Sequence, residues 1–124
     1  MSDNMHLRGK ILRDTADIIE GARNRDYGDP FDDFGTTANF WETYITRVVL
    51  RRGEMKLEPH DVAAMMMLLK IARLTWTPGV KDHWMDAIGY AALGWECSVT
   101  SGIVHEQEHK NQAEKSRARR KQGT

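Results

Sequence analysis

The sequence predicts an all-α protein built as a four-helix bundle with a disordered or frayed charged tail. Three observations carry this. Apolar residues recur at helical spacing in four separate stretches. No stretch offers a strand pattern of alternating apolar and polar residues. The breaks between the helical stretches hold the glycines and prolines that end helices.

Residues 1–7 read as a loose polar leader. From Arg8 to about Asn24, Ile11, Leu12, Thr15, Ile18, Ile19 and Ala22 mark one amphipathic face. Gly28 and Pro30 stop that helix, and Pro30 pushes Asp29 into an extended conformation. A second helix is expected from Phe31 or Asp32 to about Leu50, with Asp32 and Asp33 at its positive dipole end and Phe34, Ala38, Trp41, Ile45 and Val48 on one face. Gly53 ends it. Pro59 suits the first position of a third helix, with His60 and Asp61 in its opening turn. That helix runs through Met65-Met-Met-Leu-Leu69 to Trp76, is apolar on most faces, and predicts that the rest of the chain wraps around it. A Thr77-Pro-Gly79 turn then returns the chain into a fourth helix from Lys81 or Asp82 that could run past Val104. Gly89 and Gly94 inside it imply close approach of a neighbouring helix, since each costs about 1 kcal/mol relative to alanine.

A chain of 124 residues suits one domain, placed at 8–104, with a charged tail at 105–124. Eighteen basic and eighteen acidic side chains balance, so net charge drives the protein toward neither nucleic acid nor membrane. The longest apolar run is interrupted by Lys70 and Arg73, short of a membrane span. The single cysteine, Cys97, and the polar start without a signal-peptide core imply a cytoplasmic location. A hairpin this apolar in a short chain predicts a homodimer or larger homo-oligomer.

The chemistry concentrates where the third and fourth helices meet. Lys70 and Arg73 share one helix face, Asp82 and Asp86 another, and an antiparallel hairpin brings all four to one end. Two readings follow. One is a structural ion-pair network beside the core. The other is a polyphosphate site, with carboxylates on Mg²⁺ and the cations on phosphate oxygens. Tyr27 and Asp29 divide in the same way: turn and core cap, or base stacking and contact with metal or ribose. Asp33 and Glu42 are further carboxylates that would complete a metal site only if they faced inward.

Tyr27-Gly-Asp-Pro30, Lys70-Ile-Ala-Arg-Leu74 and Asp82-His-Trp-Met-Asp-Ala-Ile-Gly-Tyr90, in this order, resemble a family of small phage and prophage proteins. The layout is also similar to the nucleotide-modification-associated domain and, more distantly, to the MazG-like all-α nucleoside triphosphate pyrophosphatases. The resemblance covers about Ile11 to Trp95. It implies cleavage of a (d)NTP to monophosphate and pyrophosphate with Mg²⁺ or Mn²⁺, with Asp82 and Asp86 as metal-binding and catalytic carboxylates and Lys70, Arg73, Tyr27 and Asp29 holding substrate. Asp86 matches the last carboxylate of that family's second acidic pair. His83 stands where the preceding glutamate belongs, and the first pair is missing, with Met66, Met67, Leu69 and Lys70 in its region. That departure leaves room for a non-catalytic nucleotide-binding protein of the same fold, or for a structural and interaction role.

Lesser signals have plainer readings. His105-Glu-Gln-Glu-His109 matches a zinc-protease pattern in a polar tail without the required apolar context. His60-Asp61 evokes metal phosphohydrolases, but helix capping explains Asp61 more simply. The span Lys110 to Lys121 carries six basic and one acidic side chain, and a solubilising tail is the simpler reading than nucleic-acid contact. Trp41, Trp76, Trp84 and Trp95 are expected in the core and at a subunit interface.

Overall fold

The computed structural model describes residues 4–123, and within them all side chains but those of residues 104–106. Every element among the described residues is helical: α1 (Asn4–Ile18), a π turn (Ile19–Arg23), α2 (Asn24–Tyr27), α3 (Pro30–Arg52), α4 (Pro59–Leu74), α5 (Lys81–Thr100) and α6 (Ile103–Gln122).

The first helical region is longer and less regular than the sequence suggested. Asn4 to Leu7, expected as a loose leader, begin α1, and the chain stays helical to Tyr27 with a kink at Gly21 (φ −109°, ψ −108°). Gly28 (φ 77°) then breaks the path, its missing side chain leaving room for the Trp76 ring, which would lie 3.0 Å from an added Cβ.

Local chemistry sets the ends of α3 and α4. The Asp29 carboxylate accepts a hydrogen bond from the Phe31 N–H at 2.7 Å, Pro30 occupies the first turn, and Gly53 (φ 79°) ends α3 with its N–H on the Val49 carbonyl. At the start of α4 the Asp61 carboxylate accepts from the Glu58 N–H at 2.7 Å.

The packing centre is the antiparallel α4–α5 hairpin, onto which α3 lies along α4. Gly94 allows the close approach anticipated for it: an added Cβ would sit 3.0 Å from the Ala63 methyl. Gly89 does not, because nothing in the chain lies within 4 Å of that position. The Trp41 indole N–H donates to the Met65 carbonyl at 2.6 Å and pins α3 to α4.

Three expectations change. The fourth helix stops at Thr100, and Gly102 (φ 82°) redirects the chain into α6. The tail, expected as frayed helix or disorder, is therefore a continuous helix, although its described side chains stay in solvent because almost none is apolar. The chain also does not enclose α4. Only Val48 and Ala72 are nearly fully buried apolar residues among those described, α1 has no buried residue, and Trp76, Trp84 and Trp95 are more than half exposed. No helix among the described residues is long and apolar enough to cross a membrane.

Candidate functional site

The hairpin brings Lys70, Arg73 and Asp86 to one end, as their spacing predicts. Lys70 is buried, and its Nζ lies 2.8 Å from a carboxylate oxygen of Asp86, whose side chain remains about half exposed at 48 %. The hydrogen bond and positive charge of Lys70 hold the Asp86 carboxyl below the usual carboxylate range, so Asp86 is ionised at neutral pH. Asp82, one turn earlier, is exposed and has neither an ion pair nor a hydrogen bond with any described residue. The charged group thus has three interacting members, and Asp82 stays in solvent one turn away from Asp86.

Arg73 enters a group that sequence reading did not assemble. Its guanidinium lies 4.0 Å above the centre of the Tyr27 ring, and Arg23 approaches the same ring at 5.5 Å. Both arginines reach the buried carboxylate of Asp33, Arg23 at 3.3 Å and Arg73 Nε at 3.6 Å. The other Asp33 oxygen and Arg73 Nε are buried without a hydrogen-bond partner among the described residues. The Arg73 side chain in fact donates no hydrogen bond to any described residue. Its Nε is buried against Asp33, and the terminal nitrogens, which are not buried, are available to an anion.

A polar latch supports the Tyr27 ring from behind. His83 is 1 % exposed, with its ring centre 5.5 Å from that of Tyr27. Its Nε2 lies 3.0 Å from the Thr77 hydroxyl and 3.3 Å from the Asp26 carbonyl, and Thr77 also donates to that carbonyl. A proton on His83 Nε2 satisfies all three contacts. His83 is therefore a structural tie between α2, the hairpin turn and α5.

Together, Arg23, Lys70 and Arg73 outnumber the carboxylates they touch, Asp33 and Asp86. Asp29 serves as the α3 cap, its carboxylate taken by the Phe31 N–H. Glu42 is exposed on α3. Of the contributors sequence reading passed over, Arg23 had a signal: it precedes Tyr27 by four residues, one helical turn. Thr77 had none, since its partners lie 51 and 6 residues away.

A second cluster sits at the opposite end of α4. Asp61 is fully buried and accepts from Arg52 at 2.7 and 2.8 Å and from the Tyr44 hydroxyl at 2.5 Å, in addition to its cap bond. His60 lies 3.3 Å from Arg52 Nη2. Every lone pair of the Asp61 carboxylate that could serve a metal is taken, so Asp61 ties α3 to α4. In the His105–His109 motif, His105 and Glu106 lie outside the described side chains. No three His, Cys, Asp or Glu converge into a metal-binding group among the described residues.

A family model described as Domain of unknown function (DUF6378) matches residues 10–98. The chain is 39 % identical over 83 residues to the Gene 55 protein of Mycobacterium phage L5, and 35 % identical over 81 residues to the Gene 55 protein of Mycobacterium phage D29. These alignments take in 67 % and 65 % of this chain and 49 % and 48 % of the relatives, so the chain spans about half the length of the curated relatives it matches. No solved structure matches it.

Proposed function

This chain belongs to the DUF6378 family, and we propose that it acts on nucleoside triphosphates, as a metal-dependent pyrophosphohydrolase of the MazG-like kind. The observation that supports this most is the unspent guanidinium of Arg73, stacked on Tyr27 and set beside Lys70 and its half-exposed partner Asp86. An anion entering here finds three cations and an aromatic ring. The phosphates would take the free donors of Arg73 and compete with Asp86 for Lys70, and Tyr27 would border the nucleoside.

The residues present fit Mg²⁺ in a limited way. Magnesium is commonly held by one or two carboxylates plus substrate phosphates rather than by an all-protein cage. Asp86, ionised and solvent-accessible, meets that minimum, and Asp82 adds a second carboxylate one helical turn away. When bound, the ion would supply neutralisation of the triphosphate charge.

A second reading, a protein that holds a nucleotide without cleaving it, is favoured by α4, which carries Met66, Met67 and Leu69 where a pair of glutamates would be needed. One experiment separates the two. Purified protein is incubated with each (d)NTP and Mg²⁺ or Mn²⁺, and monophosphate and pyrophosphate are measured. Their release supports the hydrolase. Thermal stabilisation by a nucleotide without turnover selects the binding protein, and neither response refutes both.

A further inference from the structure

The outward face of α5 carries a helix-pairing seam. Met85, Ile88, Ala92, Trp95 and Val99 follow one another at intervals of 3, 4, 3 and 4 residues, the repeat by which two helices pack knobs into holes. All five are exposed, on the side of the helix away from the residues that meet α4. The series is close to symmetric about Ala92. Reversing it sets Met85 against Val99 and Ile88 against Trp95, with the smallest residue in the middle, and Gly89 beside it has no neighbour within 4 Å.

The surface area leaves room for a partner. The chain exposes 9817 Å², whereas a compact protein of 14.2 kDa exposes about 6,800 Å². The solvated helix α6 accounts for part of the difference. Large apolar side chains stand exposed on α5 and on the Ile11, Leu12, Ile18 and Ile19 face of α1. A standard interface takes roughly 800 Å² per partner, a fraction of the excess of about 3,000 Å² that α6 and these faces share.

We propose that α5 pairs antiparallel with α5 of a second copy of this chain across a two-fold axis at Ala92. A second copy fits better than a different partner because the seam is complementary to its own reversal, as a two-fold interface requires. The pairing also bears on the proposed nucleotide site. Asp86 lines a shallow groove of about 280 Å³ with Met85, Gly89, Tyr90 and Leu93, and Met85 and Gly89 lie on the seam's edge. The partner helix then walls that groove, so each site is finished by the other protomer. This last step rests on the function proposed above; the pairing does not.

The test is the mass of the intact chain by light scattering, which is independent of turnover. A dimer, twice the mass of the single chain, is expected at micromolar concentration, and a monomer overturns the proposal. Ala92→Glu puts two like charges on the axis and is expected to halve the mass. A dimer that survives it refutes the seam. Should that variant fail to fold, Ala92→Cys in a Cys97→Ser background decides: a mild oxidant should link the two copies covalently, since only a residue at the axis brings its two Cα atoms within disulfide reach. A folded Ala92→Cys protein that does not cross-link places the axis elsewhere.

Discussion

Asp61 accepts both terminal nitrogens of Arg52, at 2.8 and 2.7 Å, while being completely shielded from solvent. The two partners are not equally buried, since about a third of the Arg52 side chain still reaches water. Removing Asp61 leaves a cation that can rehydrate, whereas removing Arg52 leaves a buried carboxylate. Arg52→Met is therefore expected to cost about 3–5 kcal/mol, and Asp61→Asn measurably less. Urea unfolding of the two variants checks the order. Equal losses would mean the charge on Asp61 is not what the guanidinium serves.

The same cluster sets a pH window. Burial alone would raise the Asp61 carboxyl, but hydrogen bonds from Arg52, Tyr44 and the Glu58 N–H overcome it and hold it well below the usual carboxylate range. Its contribution is present above about pH 4, the unfolded value, and is lost as pH falls toward the folded one. Tyr44 moves the other way: burial, the hydrogen bond to Asp61 and its negative charge push the phenol up to about 12. Its contribution is full below about pH 10 and disappears as pH climbs through 12. Stability measured from pH 2 to 12 should fall at both ends. Tyr44→Phe should flatten the alkaline limb and cost about 1.5–3 kcal/mol at neutral pH.

Asp86 links the site to the packing of Lys70. Asp86→Asn leaves that buried ammonium without its carboxylate, so a loss of stability is expected while circular dichroism still reports the helical fold. If Asp86 carries the metal, the same change should abolish (d)NTP cleavage, a loss of at least about 100-fold on the scale of removing a metal-oriented charge. Full activity in this variant would remove Asp86 from the site.

Gly28 tests the turn that delivers Tyr27. At φ 77° any side chain is strained, and a Cβ would press on the Trp76 ring at 3.0 Å. Gly28→Ala is expected to cost about 1–3 kcal/mol. It should also weaken nucleotide binding by shifting Tyr27, read as a smaller thermal shift with nucleotide. An unchanged melting temperature would mean Trp76 and the turn relax freely.

These residues show what sequence alone carries. Helix type and most ends were legible because they are local: Pro30, Gly53 and Pro59 act within one turn of themselves. Lys70 and Asp86 were legible because a short hairpin leaves little choice of register. The Arg23–Asp33–Arg73 group was not, since it needs α2, α3 and α4 at one point, and no periodicity reports that meeting. Asp82 does not join the Lys70–Asp86 pair, because two carboxylates four apart share a helix face without being bound to share a partner. The apolar face of α1 reads as ordinary core from sequence and that of α5 as core or subunit interface, since periodicity cannot say whether one chain or two fill it.

Arg73 provides the sharpest test of the anion site. Its guanidinium stacks on Tyr27 at 4.0 Å and holds donors that no described residue uses. Lysine at this position keeps the charge but loses both the flat stack and the forked donors that grip a phosphate at two points. Arg73→Lys should therefore retain the fold and bind a nucleoside triphosphate at least about 10-fold more weakly, the share of one good charged hydrogen bond. Calorimetric titration measures the affinity, and urea unfolding establishes that stability has moved by less. Were Arg73 only a structural partner of Asp33, lysine would still supply the positive charge and the affinity would stay put. That outcome would return the cluster to an ion-pair network.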